Sequence, residues 1–263
     1  DGVRPCVARP APAARKFVSG AVDAYLARMV PRFKDEGLAR IFNETLPNSL
    51  DTTWEVAGRE DTFVITGDIP AMWLRDSTFQ VLPYMRPEFM GQDVKLRDAI
   101  CGLIRRQARS IMIDPYANAF NYNASGAGHQ SDDRTPPMSP EVFEGKYELD
   151  SLISFLKLAR TYHESAPDDV ACFAGGSFAK AVAAVLDTLR EQQAGTDEEA
   201  RGDAGYRFRR AEWCLQNAGY GAPAKRTGMV KSAFRASDDP TTFPFLVPSN
   251  HFARVELEAL PDM

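Results

Sequence analysis

Apolar residues in this chain fall again and again at intervals of three and four. Val18, Val22, Tyr25, Leu26, Met29 and Phe33 share one helical face, and Leu96, Ile100, Leu103, Ile104 and Ile111 share another. Leu149, Leu152, Ile153 and Leu156 repeat the pattern, as do Phe178, Val182, Val185, Leu186 and Leu189. Each stripe must be covered by a neighbouring element, so the spacing predicts an all-α assembly of packed helices. Strand-like alternation is confined to residues 63–65. The first fifteen residues, rich in Pro and Ala, read as an N-terminal arm, and no internal repeat is visible.

The connectors between the helices are the unusual part. Residues 114–147 hold Pro, Gly, Asn and Asp, but also Tyr116, Phe120, Tyr122, Phe143 and Tyr147. A connector longer than about 15 residues within a compact domain is usually functional or disordered. Disordered linkers lack aromatics, so this one reads as an ordered binding loop. Residues 194–206, with Gly, Asp and Glu, read as a solvated loop.

Composition excludes more than it assigns. The 263 residues suffice for a sizeable core, and 31 basic against 36 acidic residues give a net charge of −5. Neither nucleic acid nor an anionic membrane surface is expected as a partner. No apolar run approaches the length of a transmembrane helix. The chain begins at Asp1 rather than Met, as after removal of a leader or in an excerpt. Cys6, Cys101, Cys172 and Cys214 form no C-x-x-C pair, and His129, His163 and His251 are scattered. No metal and no cofactor are expected, and disulfide pairing stays open. Asn43 and Asn123 each open an N-x-S/T sequon.

Three clusters of residues could carry chemistry. TGDIPAMWLRDS, residues 66–77, sets Asp68, Trp73, Arg75 and Asp76 around Gly67 and Pro70. Gly67 and Pro70 predict a turn feeding a helix near Asp76, with Asp76 and Ser77 at the N-cap. A capping Asp, a core Trp and a structural ion pair account for these residues singly. Jointly they fit a sugar better: an indole offers a platform to pyranose C–H faces, while Arg and Asp make charge-assisted hydrogen bonds to vicinal hydroxyls. The second cluster, in residues 125–151, holds His129, Asp132, Asp133, Arg134, Glu144, Glu148 and Asp150. Glu148 and Asp150 open an apolar-periodic helix, where acids also complement the helix dipole. The third, KSAFRASDDPTTFPFLVPSN, holds Arg235, Asp238, Asp239 and Asn250. Acids before a proline are common turn residues. Here Phe234, Phe243 and Phe245 surround them, and a carboxyl in such a setting can keep its proton and act as a general acid. There is no Ser–His–Asp signature and no phosphate-binding glycine loop. Carboxylates, aromatics and Arg on loops suit glycoside hydrolysis, in which one carboxylic acid protonates the leaving oxygen and one carboxylate activates water.

TGDIPAMWLRDSTFQVLPY, IDPYANAFNYN, HQSDDRTPP, VFEGKYELDSL and FRASDDPTTFPFLVPSN together resemble glycoside hydrolase family 125, and within it the eukaryotic branch. The likeness runs from about Arg4 to the last helical stretch. It implies an (α/α)6 barrel with its pocket at one end, and a metal-independent exo-α-1,6-mannosidase that inverts the anomeric centre. It implies a general acid at Asp238 or Asp239, between which the motif does not choose. It places Asp68, Trp73, Arg75 and Asp76 at the terminal mannose, bordered by Tyr122, His129, Asp132, Asp133, Glu148 and Asp150. Arg235 and Asn250 come with the third motif. The general base is implied to be a glutamate from the C-terminal part of the barrel.

Periodicity accounts for about six or seven helices before Met263, whereas a closed barrel of six helical pairs needs about 400 residues. The expectation is therefore one catalytic domain over residues 1–263, the N-terminal half to two-thirds of a barrel. The base would lie outside it, and apolar faces would be exposed. The expected partner is an α-mannoside oligosaccharide or N-glycan, with a monomer when the barrel is complete. Two other readings compete: a non-catalytic mannose-binding or degenerate remnant, and a helical-toroid hydrolase or lyase of different linkage specificity. The sequons, the cysteines and the eukaryotic resemblance point to the secretory pathway (the Golgi) or secretion, with the cytoplasm as the alternative.

Overall fold

The computed structural model describes residues 9–198, 205–211 and 213–260. The first helices start where polar side chains can take up orphan N–H groups. Ser19 accepts from Val22 N ahead of α1 (Gly20–Met29), and Asp35 accepts from Leu38 N ahead of α2 (Glu36–Thr45). The short α3 (Asn48–Thr52), α4 (Leu74–Val81) and α5 (Pro87–Met90) follow. Asp93 then accepts from Leu96 N to start α6 (Val94–Ile113). The remaining long helices are α7 (Leu149–Ser165), α8 (Ser177–Glu191) and α9 (Val247–Ala259).

The helix α7 is the structural centre. It buries Leu149, Leu152, Ile153, Phe155, Leu156, Leu158 and Tyr162, residues on all sides of the helix, so it lies inside the domain rather than on its surface. α4, α6 and α9 pack against it, and α8 packs on α6. A buried amide fixes α4 in this arrangement. Gln107 Nε2 of α6 donates to Leu74 O and Thr78 Oγ1, both at 3.0 Å, and Thr78 Oγ1 donates to Ser154 O of α7 at 3.2 Å. The N-terminal turn of α4, which carries Arg75 and Asp76, therefore stands in a set position over the N-terminus of α7.

Small antiparallel sheets modify the all-α expectation. β1 (Trp54–Val56) pairs with β2 (Thr62–Val64), the latter close to the strand expected at residues 63–65. β3 (Met72–Trp73), β4 (Ala119–Phe120) and β6 (Val142–Glu144) form a second sheet. β5 (Asp133–Thr135), β7 (Arg207–Arg210) and β8 (Trp213–Cys214) form a third. Strands of two to four residues are too short to show alternation in sequence. They arise because the long connectors are partly buried and must pair their backbone groups.

Two segments are more committed than their composition suggests. Residues 9–15 of the arm are anchored, with Arg9 on Asp51 at 2.6 Å and on Asp23 at 2.8 Å; residues 1–8 lie outside the described part. At the end of the expected solvated loop, Tyr206 is buried, and its hydroxyl accepts from Tyr147 N and donates to Gly145 O. Residues 199–204 of that loop are outside the described part. Large apolar side chains are exposed on and before α9, namely Phe243, Val247 and Val255.

Cys101 of α6 is bonded to Cys172 across 71 residues, and Cys214 is exposed and unbonded among the described residues, which leave out Cys6. A crosslink closing a loop of that length removes enough entropy from the unfolded chain to contribute about 4 kcal/mol. Cys172→Ser is expected to lose stability of that order in urea unfolding. Equal midpoints for the oxidised protein and the variant would show that the crosslink contributes nothing.

Candidate functional site

The second sheet delivers the site. β3 ends at Trp73, and the chain turns directly into α4, so Arg75 and Asp76 fall in its first turn. The helix thus starts two residues earlier than expected: its N-cap is Trp73, and Asp76 does not cap it. Three residues after β6 comes Tyr147, then Glu148 at the N-cap of α7. Glu148 does not cap either, since its side chain makes no bond to the helix N-terminus. Leu149 N instead donates to Ser232 Oγ, 83 residues further along the chain. The Glu148 carboxyl is left to face Arg75.

Arg75 gathers carboxyls from three parts of the chain. Nη1 donates to Glu148 Oε2, and to Asp150 Oδ2 at 3.1 Å. Nη2 donates to Asp238 Oδ1 at 3.4 Å and lies 3.6 Å from Asp76 Oδ2. Asp238 reaches the cluster because it sits at φ 64°, a left-handed conformation that Asp tolerates better than most residues. Its N–H donates to Arg235 O, and Arg235 N donates to Asp239 O, which closes a tight turn. The turn sends Asp238 inward and Asp239 outward. Asp239 is exposed and bonded to Arg235 Nη2 at 2.7 Å and to Ser237 Oγ at 3.0 Å.

One guanidinium faces four carboxyls, so full ionisation would leave three negative charges uncompensated. Each like-charged pair at about 4 Å would cost about 4 kcal/mol in the semi-polar setting of a protein surface. Burial pushes the Glu148 carboxyl well above the usual carboxylate range; the neighbouring Asp238 carboxyl adds to this, and Arg75 opposes it. Burial also raises Asp150 and Asp76, again against Arg75. Asp150 Oδ1 and Asp76 Oδ2 are buried without a hydrogen-bond partner among the described residues. A cleft of about 460 Å³ opens beside Asp150, lined by Arg235, Ser237, Leu246, Ser249 and Phe252. Buried acceptors without partners, set next to an open cleft, are the arrangement that a polyhydroxylated ligand would complete.

A second network stands behind the first. Glu144 accepts from Lys146 Nζ at 3.1 Å, Arg210 Nη2 at 3.0 Å and Asn118 Nδ2 at 3.1 Å. His129 Nε2 is 3.6 Å from Glu144, and Asp132 is held by two bonds from Arg210, each 2.8 Å. Asn118, fully buried, joins the two networks by also donating to Glu148 Oε1 at 3.4 Å. Its carbonyl accepts from Lys146 N. The loop before His129 passes so close to Phe143 that a Cβ on Gly128 would lie 2.2 Å from Phe143 O, at a φ of +94°. Only glycine fits there.

The remaining expected residues have other placements. Trp73 is 7% exposed and packed with Ala71, Ala119, Ile69 and Phe143, so no indole face is open as a platform. It offers an N–H without a partner among the described residues. Asp68 is exposed on the turn before β3, and among the described residues no bond reaches its carboxylate. Tyr122 stacks edge-on against Phe63 beneath Arg106, apart from the carboxyls. Asp133 pairs with Arg207 on the exposed side of β5. Asn250 is a backbone clamp, accepting from Val230 N and donating to Val230 O and Leu246 O. Asn118, Lys146 and Arg210 are the residues that sequence reasoning missed. Asn118 stood within IDPYANAFNYN, but an Asn among aromatics has no signature that separates it from a turn residue.

The profile of the metal-independent alpha-mannosidases (GH125) matches residues 35–263. The Meiotically up-regulated gene 157 protein of Schizosaccharomyces pombe is 38% identical over 97% of this chain, which covers 53% of that protein. A solved metal-independent α-mannosidase of Streptococcus pneumoniae, in a non-productive complex with α-1,6-mannobiose, superposes with a TM-score of 0.83 at 35% identity. That match covers 94% of this chain and 57% of the solved one. The chain thus spans a little over half the length of these relatives. The mostly helical fold with small sheets is similar to that structure, a helical barrel.

Proposed function

The chain belongs to glycoside hydrolase family 125, the metal-independent α-mannosidases, and on that premise we propose that it forms the sugar-binding and acid-bearing part of an exo-acting α-1,6-mannosidase that inverts. The observation that carries this reading is the Arg75 cluster, with acceptors of Asp76 and Asp150 that no described residue hydrogen-bonds, Asp150 lining an open cleft. Terminal-mannose hydroxyls donate to those acceptors. Asp238, the most exposed carboxyl of the cluster, protonates the glycosidic oxygen as the C–O bond breaks. Inversion needs a water and the sugar ring between acid and base, with about 6.5–9.5 Å between the carboxyl groups. Glu148 shares the single Arg75 guanidinium with Asp238 and is not assigned as that base. The base is proposed to be a glutamate outside residues 1–263, as the family resemblance implies. The α-1,6-mannobiose bound to the pneumococcal relative supports the linkage. The Cys101–Cys172 bond supports an oxidising compartment such as the secretory pathway.

The test is proton NMR of α-1,6-mannobiose during hydrolysis. β-Mannose is expected first, with the α-1,2 and α-1,3 isomers cleaved more slowly. First-formed α-mannose, or equal rates on unrelated disaccharides, would sink the assignment. Saturable mannose binding without turnover, even with the base restored, would favour the binding remnant instead.

A further inference from the structure

We propose that Asn118 is a positioning residue of the sugar site: it sets both the backbone that presents Arg75 and the carboxyl on which the Arg75 guanidinium rests, and through them the affinity for the terminal mannose. This rests on the reading of the Arg75 cluster as the sugar site. Asn118 is fully buried and stands just before β4, which pairs with β3. Its backbone O accepts from Leu74 N at 3.1 Å. Leu74 is the first residue of α4, where an N–H has no partner within the helix, and Arg75 is the next. The start of the helix that presents Arg75 is thus fixed from Asn118.

The side chain of Asn118 fixes the other end of the contact. Nδ2 carries two hydrogens and directs them at two glutamates, Glu144 Oε2 at 3.1 Å and Glu148 Oε1 at 3.4 Å. Oδ1 accepts from Lys146 N at 3.2 Å, so both donors and the acceptor of the amide are in use. Glu148 therefore has one oxygen on Asn118 and the other, Oε2, on Arg75 Nη1. Held at both oxygens, its carboxyl keeps its plane toward the guanidinium. The Glu148 side chain has no exposed surface, so loss of the Asn118 donor would leave a buried oxygen unsatisfied.

A neutral donor suits this place because acids meet it from two sides. Glu144 of β6 is met by His129, Lys146 and Arg210 as well as by Asn118. Glu148, at the start of α7, faces Arg75 of α4, which also holds Asp76, Asp150 and Asp238. Aspartate has the size and shape of asparagine. Once ionised, it has no hydrogen to donate and sets a third carboxylate between two others. Asn118→Asp thus separates the shape of the side chain from its donors, and does so with pH as the control.

The experiment is proton–nitrogen NMR of the arginine guanidinium groups, joined to calorimetric titration with mannose, on the parent chain, Asn118→Ala and Asn118→Asp. In the parent the Arg75 Nη protons are expected as separate, slowly exchanging signals, identified by their absence from Arg75→Lys. Arg160 is the control, since it holds Glu256 by bonds of 2.6 and 2.9 Å further along α7. Asn118→Ala should average the Arg75 signals, leave those of Arg160 in place, and weaken mannose binding about tenfold. Asn118→Asp should stay near the parent at about pH 5, where the enclosed carboxyl keeps a proton to donate, and should match the alanine variant at about pH 8. Parent-like Arg75 signals and affinity in Asn118→Ala, or in Asn118→Asp at the higher pH, overturn the proposal. Loss of the Arg160 signals in both variants would make Asn118 a residue on which the whole fold depends, and would overturn it as well. If the parent binds no mannose while its Arg75 signals respond as stated, the sugar assignment fails and the positioning of Arg75 stands. If the parent binds mannose and neither variant alters the affinity, the positioning fails and the sugar assignment stands.

Discussion

Asp238→Asn is expected to lower turnover of α-1,6-mannobiose by about 10²–10⁴-fold in a barrel that holds both acid and base. Asparagine keeps the shape of the side chain and can still contact Arg75, but it has no proton to give to a sugar alkoxide. An aryl α-mannoside departs as a stabilised phenolate and needs little protonation, so its loss should be far smaller. Asp239→Asn makes the contrast. That carboxylate points to solvent and, among the described residues, bonds only Arg235 and Ser237, so both substrates should be turned over within a few-fold of the parent. Steady-state rates on the two substrates for the two variants decide the matter. A large mannobiose-specific loss in Asp239→Asn, with Asp238→Asn near normal, would reverse the assignment.

The choice between these neighbours shows where sequence reading ends. Both stand in the same SDD motif, and only the left-handed φ of Asp238 turns one inward and the other outward. A backbone angle set by the contacts of Phe234 and Pro240 leaves no trace in the order of two identical residues. The helices of the core were legible because each buries a stripe long enough to show a period, as Leu149 to Leu156 do in α7. The strands were not, because a two-residue pairing such as Met72 and Trp73 with Phe120 and Ala119 is set by tertiary contact. Arg75, Asp76, Glu148 and Asp150 were legible as a polar group that helix capping alone did not need. Asn250 entered through its motif and Tyr122 through its aromatic-rich connector, and both side chains are engaged elsewhere. Asn118 was missed for the opposite reason: its value lies in bridging Glu144 and Glu148, a property of three-dimensional position.

Arg75→Ala should cost the most of any single change, in stability as well as in recognition. The guanidinium is the one group in contact with Glu148, Asp150, Asp76 and Asp238 together. Removing one partner of a buried ion pair typically costs about 3–5 kcal/mol, because the other charge is left uncompensated. The loss should depend on pH, and the sign is fixed by the carboxyls. Glu148, Asp150 and Asp76 are already raised in the folded protein, so they contribute stability at low pH that is lost as pH rises through their folded values. Without Arg75 they rise further. The deficit of the variant should therefore be small near pH 4, where these groups carry protons, and should widen toward pH 8. Mannose binding should be lost at both pH values, since the acceptors are no longer held in place. Arg75→Lys separates charge from geometry: an ammonium restores one positive charge but cannot bridge Glu148 and Asp238 with two nitrogens at once. It should recover much of the stability at pH 8 and little of the binding. Urea unfolding and calorimetric titration with mannose at the two pH values give the comparison. A pH-independent deficit, or full recovery of binding by lysine, would mean that Arg75 acts as a point charge and that the cluster around it is not the sugar site.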